Sequence, residues 1–298
     1  MKVLNYGSLN YDYVYAVDHM VQAGETLSSA SMETHFGGKG LNQSIALARA
    51  GAQTCHAGMV GEDGRDLMAV CKESGVNTDY ISLHEGRSGH AVIQINSQGE
   101  NCILLFRGAN GKNSEKKIKE VLSHFERGDV LLMQNEVNLP EEIIREAFER
   151  GMKIALNPSP MDERILGCSL DKVSLFLLNE VEGRQLTGQT GIEGMAEKLR
   201  EMYPRAEIVL TAGKRGCIYS GEKGSFSCVS FTVDAVDTTA AGDTFTGYYI
   251  ASMLQGKSVE ECLRTASAAA AIAVTRKGAV PSIPQREEVE VFLEAHSG

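Results

Sequence analysis

Residues 129–157, "DVLLMQNEVNLPEEIIREAFERGMKIALN", hold an apolar run, a helix-like stretch and a second apolar run in that order. "DVLLMQ" lacks the polar alternation of a half-exposed strand and reads as one covered on both faces. Pro140 sits where a first helical turn tolerates proline, and Gly151 offers a left-handed stop after "EEIIREAFERG". Working outward, "SLFLLNE" (174–180) and "EIVLTAG" (207–213) repeat the alternation toward the C-terminus, and "QTCHAGMVG" (53–61) before "EDGRDLMAVCKESG" (62–75) repeats it toward the N-terminus. Repeated βαβ units predict an α/β chain around a mostly parallel sheet. Ser258 and Glu261 in "SVEECL" add a capping-box pattern to a later helix.

Two regions break this rhythm. In "NYDYVYAV" (10–17), Tyr11, Tyr13 and Tyr15 share one strand face while Asn10, Asp12 and Val14 share the other. "ETLSSASMETHF" (25–36) reads as a second strand, and "SGHAVIQINSQGENCILLF" (88–106) as a hairpin turning at Ser97 to Glu100. These helix-free strands predict a small sheet standing apart, as a lid over the carboxyl-terminal edge of the parallel strands, where ligands of open α/β sheets bind. Its exposed aromatic row predicts association with a partner lid.

Composition narrows the function. The 298 residues are 43% hydrophobic, enough for one large core, and the net charge of −10 disfavours nucleic-acid and anionic-membrane surfaces. Seven cysteines without a C-x-x-C pair suggest reduced thiols, not a disulfide framework or zinc cluster. The histidines, at 19, 35, 56, 84, 90, 124 and 296, show no metal-ligand spacing. "MKVLNYGSLN" has no signal-peptide apolar region, and "ASAAAAIAV" is too short to span a membrane, so a cytoplasmic setting is expected.

Five segments carry candidate chemistry. "THFGGKGLNQSIALARAG" (34–51) opens a helix from a Gly-Gly-Lys-Gly turn that permits close backbone approach, without Walker A spacing. Asn42 in its first turn suits either a backbone partner or a ligand hydroxyl. "VDTTAAGDTFTGYY" (236–249) gathers Ala240, Ala241 and Gly242 before Asp243, so that amides and a positive dipole end crowd one point. Asp243 there is either a plain N-terminal acid or a functional carboxylate. In "LLNEVEGRQLTG" (177–188), Asn179 and Glu182 follow a buried strand, as a surface loop or as a polar pair for phosphates and hydrated Mg²⁺. "LTAGKRGCIY" (210–219) is a hairpin or a nucleotide-binding loop. "VTRKGAVPSIP" (274–284) closes an Ala-rich helix with a basic residue and glycine, and its carbonyls could also ligate a monovalent cation.

Taken together, these segments resemble the ribokinase (PfkB) family of sugar kinases nearly end to end, most specifically at "GGKGLNQ" and "DTTAAGDTFTG". The resemblance implies a three-layer α/β/α core (1–9, 37–87 and 108–298) with a β-sheet lid (10–36 and 88–107) that closes over the sugar and supports a homodimer. It implies sugar contacts at Asn10, Asp12, Gly38, Lys39, Asn42 and Glu136. On the nucleotide side it implies Asn179, Glu182, Thr211, Gly213, Lys214, Gly216, Gly242 and Ser267. It also implies K⁺ at Asp237, Thr239 and Ser282 with backbone oxygens of Ala273, Arg276 and Gly278, and Mg²⁺ supported by Glu182. ATP's γ-phosphoryl would then pass to a sugar hydroxyl, most readily of D-ribose, with Asp243 as general base and the amides of Ala240, Ala241, Gly242 and Asp243 as anion hole. Leu41, Thr246 and Ser267 depart from residues common at those positions. A kinase for another sugar or a nucleoside, or a non-catalytic sugar sensor on the same scaffold, remain alternatives. A nicotinamide-dependent dehydrogenase is disfavoured by the missing G-x-G-x-x-G.

Overall fold

The apolar runs become strands whose alternate side chains feed two separate cores. In a computed structural model that describes residues 1–296, the chain begins with β1 (Val3–Tyr6), β2 (Asn10–Ala16) and β3 (Ser31–Gly37). It continues as α1 (Lys39–Arg49), β4 (Thr54–Val60), α2 (Arg65–Glu73) and β5 (Asn77–Leu83), then the hairpin β6 (Gly89–Ile95) and β7 (Asn101–Phe106). Next come α3 (Glu115–Leu122), β8 (Val130–Gln134), α4 (Pro140–Glu149), β9 (Lys153–Asn157) and the one-turn α5 (Glu163–Leu166). β10 (Leu175–Asn179), α6 (Glu180–Thr187), α7 (Ile192–Met202) and β11 (Glu207–Thr211) follow. The hairpin β12 (Cys217–Gly221) and β13 (Gly224–Cys228) precedes α8 (Ala241–Leu254), α9 (Val259–Val274) and α10 (Arg286–Ala295).

The main sheet has the order β13-β12-β11-β10-β9-β8-β1-β4-β5. It is parallel from β5 to β11, and only β12 and β13 run antiparallel. Val130 and Leu132 of β8 pack with α1, α8 and α9 on one face, while Leu131 and Met133 pack with α3, α4 and α7 on the other. That two-sided burial is why "DVLLMQ" shows no alternation, and each buried side chain contributes roughly 2 kcal/mol by leaving water. α4 begins with Pro140 and stops before Gly151, which takes a φ of 74°.

The helix-free strands form a second sheet, ordered β3-β2-β6-β7. Its second strand starts at Ser31, six residues later than the expected Glu25: β2 ends at Ala16 opposite Ser31, so residues 25–30 have no strand beside them in that register. The hairpin turns where expected, with Asn96 donating its amide to the Glu100 carbonyl. Tyr11 and Tyr13 lie on one face with Phe36, His90 and Phe106, with neighbouring ring centroids 5.0–6.3 Å apart. Tyr11, however, is buried against the body of the protein and donates to the Asp63 carbonyl at 2.7 Å, so it is not part of an outer aromatic row. The exposed apolar surface falls instead on β7, where Leu104 is 71% exposed. No helix of the described residues is long and apolar enough to cross a membrane.

Candidate active site

Two helix starts meet beside the carboxyl ends of the parallel strands. α1 follows Gly38, whose φ of 93° favours glycine, and α8 follows Ala240, a non-glycine residue at φ 59°. Neither has a side-chain cap. α1 presses so close to the end of β1 that a Cβ on Gly40 would stand 2.3 Å from the Ser8 nitrogen. Its first amides are all satisfied by protein: Lys39 donates to Glu136 Oε2 at 2.9 Å, Gly40 to Ser8 Oγ at 3.3 Å and Leu41 to the Ser8 carbonyl at 2.9 Å. The Ser8 hydroxyl donates to the same Glu136 oxygen.

α8 differs. Ala241 donates to the Thr238 carbonyl and Thr244 to that of Ala240, but the amides of Gly242 and Asp243 have no protein acceptor among the described residues. The Asp243 carboxylate is buried and held from the side by α1: Asn42 Nδ2 donates to one oxygen at 3.0 Å and Gln43 Nε2 to the other at 2.8 Å. Gln43 is itself fixed by Gln134 Nε2 at 2.6 Å, which also donates to Asn5 Oδ1 at 3.0 Å. Amides from one helix thus orient a carboxylate on another, a preorganisation suited to receiving a proton.

Two cavities open at this point. The smaller, about 220 Å³, is bordered by Lys39, Asn179, Glu182, Ala240, Gly242 and Asp243. The larger, about 410 Å³, is mostly apolar, with Phe231, Val233, Ala270 and Val274 in its wall and Gly213, Lys214, Gly216 and Ser267 around it. Thr211, Thr238, Gly242 and Phe245 border both. A Cβ on Gly242 would touch nothing within 4 Å, so this glycine leaves open space between the chambers. Burial pulls the Lys39 ammonium toward neutrality, but the carboxylates of Asp243, Glu136 and Glu182 outweigh it and hold its pKa above the usual value. Burial in turn raises the Glu136 carboxyl, against the opposing pull of Lys39 and Ser8. A cationic group, a polar chamber with unpaired amides and an adjoining apolar chamber suit a phosphorylated molecule with a flat apolar end.

A model of the pfkB family of carbohydrate kinases matches residues 1–286. The chain belongs to this family. It is 37% identical to a ribokinase of Haemophilus influenzae over 298 residues, covering 97% of each protein. A ribokinase structure from Thermotoga maritima superposes with a TM-score of 0.88 at 31% identity, covering 99% of both chains. The Arabidopsis thaliana ribokinase complexed with ribose and ATP superposes with a TM-score of 0.85 at 29% identity, covering 98% of both. The protein is accordingly a phosphotransferase with an alcohol group as acceptor, and its two sheets are the ribokinase-like core and lid.

Within this carbohydrate-kinase frame, the residues expected to hold sugar gather beside the α1 start. A Cβ on Gly38 would meet Asn10 and Ser8 within 3.3 Å, and Asn10 Oδ1 accepts from Asn110 Nδ2 at 2.7 Å. Asp12 stands against Gly37 in the neighbouring strand. Burial, reinforced by Glu136 and partly offset by His35, pushes the Asp12 carboxyl up to about 6.

The nucleotide-side residues divide between the chambers: Thr211 borders both, Gly213, Lys214, Gly216 and Ser267 the larger, Asn179 and Glu182 the smaller. "LTAGKRGCIY" is both a β11–β12 hairpin and a wall of the larger chamber. Asn179 and Glu182 also close a capping box at the start of α6, with Asn179 Oδ1 accepting from the Val181 and Glu182 amides and Glu182 accepting the Asn179 amide at 2.8 Å.

For the cation set, Asp237 accepts from the Thr239 hydroxyl at 2.6 Å and the Gly278 amide at 2.9 Å, joining the two segments. Burial raises its carboxyl, but these hydrogen bonds leave it below the usual range. The Ala273 carbonyl accepts from the Arg276 amide, and the Ser282 hydroxyl donates to the Ala279 carbonyl. α9 ends in a right-handed cap at Thr275, so Gly278, at φ 80°, shapes the following turn and is not the helix stop expected. Sequence reasoning missed Ser8, Gln43 and Asn110, although Gln43 carries a signal as a second amide beside Asn42 near the start of α1. His56 is structural: it is fully buried between Ser44 Oγ and the Gly7 carbonyl, and burial lowers it to about 4.

Proposed function

We propose that the protein transfers the γ-phosphoryl group of ATP to D-ribose, giving D-ribose 5-phosphate. The carrying observation is the Asp243 carboxylate, held by Asn42 and Gln43 in the wall of the smaller cavity, next to Gly242, which borders both. Asp243 accepts the proton of the attacking hydroxyl as general base. The unpaired amides of Gly242 and Asp243, with Lys39 in the wall of the same chamber, stabilise the transferring group, whose loose transition state spreads charge over its oxygens; the Ala241 amide expected to join them is taken by the Thr238 carbonyl. The apolar chamber takes the base, and the sugar lies among Asn10, Asp12, Gly38, Lys39, Asn42 and Glu136. Ribose leads because the relatives named above are ribokinases, one of them complexed with ribose and ATP.

Glu182, a carboxylate bordering the polar chamber, fits a hydrated Mg²⁺ held through its waters, which when bound neutralises phosphate charge. Asp237, Thr239, Ala273, Arg276, Gly278 and Ser282 offer carboxylate, hydroxyl and carbonyl oxygens, the donor class K⁺ takes, and the Asp237 link to Gly278 brings two of their segments together. In our reading the segments 10–36 and 88–107 move as a lid on a core of 1–9, 37–87 and 108–298, closing to exclude water. A cytoplasmic setting suits seven free cysteines.

A panel of ribose, 2-deoxyribose, fructose and adenosine with ATP, run with and without K⁺, tests the assignment. Ribose turnover that K⁺ stimulates is expected. Fructose or adenosine turnover with none of ribose would overturn the substrate, and no turnover at all would favour a sugar sensor.

The lid also carries a homodimer in this reading, through β7 and not Tyr11, because Ile103, Leu104 and Phe106 are each more than half exposed on an edge strand. Sedimentation of Leu104→Glu should show monomers where wild type shows dimers, and a variant that remains dimeric would exclude this face.

A further inference from the structure

The hairpin behind the larger cavity places two cysteines directly opposite each other. Cys217 of β12 pairs with Cys228 of β13 in the antiparallel ladder, and no other strand register among the described residues sets two cysteines face to face. Opposed residues of an antiparallel pair have Cα atoms about 4.5 or 5.5 Å apart, depending on the hydrogen-bonding position, and both values fall inside the roughly 4.4–6.8 Å window of a disulfide. Their side chains leave the sheet on the same face, and both pack with the α8–α9 core. Cys217 is buried and borders the larger cavity, its sulfur 3.5 Å from the Ser267 hydroxyl. Cys228 is half-buried, and the segment that follows it, through Phe231 and Val233, forms part of the cavity's wall.

We propose that Cys217 and Cys228 are a two-electron oxidation site that a peroxide converts to a cross-strand disulfide, pinning the root of this cavity wall. The Cys228 thiolate attacks one peroxide oxygen and the O–O bond breaks, giving Cys228 sulfenic acid and, after protonation, water or an alcohol. The Cys217 sulfur then displaces the sulfenic oxygen as a second water, forming the S–S bond and losing its proton. The peroxide is reduced by two electrons and the dithiol is oxidised by two. Exposure supports this order, since Cys228 is half-buried and open to a small oxidant while Cys217 is buried. Cys102, the exposed cysteine on β7, has no cysteine across its strand pair and is expected to react alone.

That the pinned wall belongs to a nucleotide site rests on the proposed function, whereas the disulfide does not. The test uses the full chain carrying Cys102→Ser, to prevent cross-links between copies, and dilute hydrogen peroxide. Intact mass should fall by two hydrogens, peptide mapping should recover a Cys217–Cys228 cross-link, and dithiothreitol should reverse it. Saturating ATP should slow its formation several-fold. In the oxidised protein the KM for ATP should change several-fold with the sugar KM unmoved. Cys217 and Cys228 both remaining alkylatable after peroxide, or the same mass loss in Cys228→Ser, would overturn the site. A mapped disulfide with no ATP protection would leave the site standing and count against the nucleotide assignment of the cavity.

Discussion

The starts of α1 and α8 are built alike and used differently. Both follow a residue with positive φ, both lack a side-chain cap, and the two helices pack against each other. At α1 the protein fills the positive end of the helix with its own acceptors, Glu136 and Ser8. At α8 the corresponding amides of Gly242 and Asp243 face the cavities without a protein acceptor. A helix end is an anion site only where the protein has not already supplied the anion. By that criterion α1 is a positioning device, delivering Asn42 and Gln43, and α8 is where chemistry takes place.

The sharpest break of this contrast is Asp243→Asn. If α8 supplies the general base, kcat should fall roughly 100- to 10,000-fold, the range expected for removing one. The KM values should move little, because Asn retains the volume and can still meet Asn42 and Gln43 after an amide flip. Steady-state kinetics with both substrates measures this, and a variant keeping wild-type kcat would reduce Asp243 to a dipole-complementing acid.

Next come paired alanine substitutions at the two helix starts. A Cβ on Gly40 would press within 2.6 Å of the backbone of Gly7 and Ser8, so Gly40→Ala should cost about 2–3 kcal/mol by overpacking. A Cβ on Gly242 meets nothing, so Gly242→Ala should leave stability unchanged or raise it by about 0.5 kcal/mol, as a better helix former. Its methyl would nevertheless enter the space left for phosphate, raising the KM for ATP several-fold. Urea denaturation and kinetics on both variants separate these outcomes. If Gly242→Ala were the destabilised one, the open end of α8 would be a packing feature instead.

What could be read from the chain follows the range of the interactions involved. The βαβ rhythm was legible because two-sided burial writes itself into uninterrupted runs such as "DVLLMQ". Gly38, Gly242 and Asp243 were legible because a helix start is a local event. The Asn42–Asp243 and Gln43–Asp243 bonds join residues 201 and 200 positions apart, a pairing no local pattern encodes. Nor could the opposition of Cys217 and Cys228 be read before the β12–β13 register was known. The late start of β3 has a related cause, since a strand needs a partner and β2 ends opposite Ser31. The capping role of Asn179 and Glu182 is different: it has the same i, i+3 spacing as Ser258 and Glu261 and is readable from the sequence, where the same spacing also suits a pair of ligands.

The smallest expected effect lies beside the filled end of α1, at Asp12. Its carboxyl is pushed up to about 6 by burial and by Glu136, with His35 opposing, against about 3.9 for an unfolded aspartate. Between those values the native state binds the proton more tightly than the unfolded chain does, so this group makes stability fall as pH rises through the window, and the loss is complete above it. Asp12→Asn cannot ionise. Its stability relative to wild type should therefore improve on going from about pH 4 to pH 7, by on the order of 2 kcal/mol, measured by denaturation at several pH values. The same ionisation should appear in kinetics with the opposite benefit. If the charged form accepts sugar hydroxyls, the wild-type sugar KM should rise as pH drops below about 6, and Asp12→Asn should show a high, pH-independent sugar KM with an unchanged KM for ATP. A stability difference that stays flat across the window would mean that Asp12 is solvated and does not feel the neighbouring Glu136 carboxyl. The filled end of α1 would then keep its own acceptors, Glu136 and Ser8, but would have no second buried carboxyl beside it, and its contrast with the open end of α8 would be one of hydrogen bonding alone.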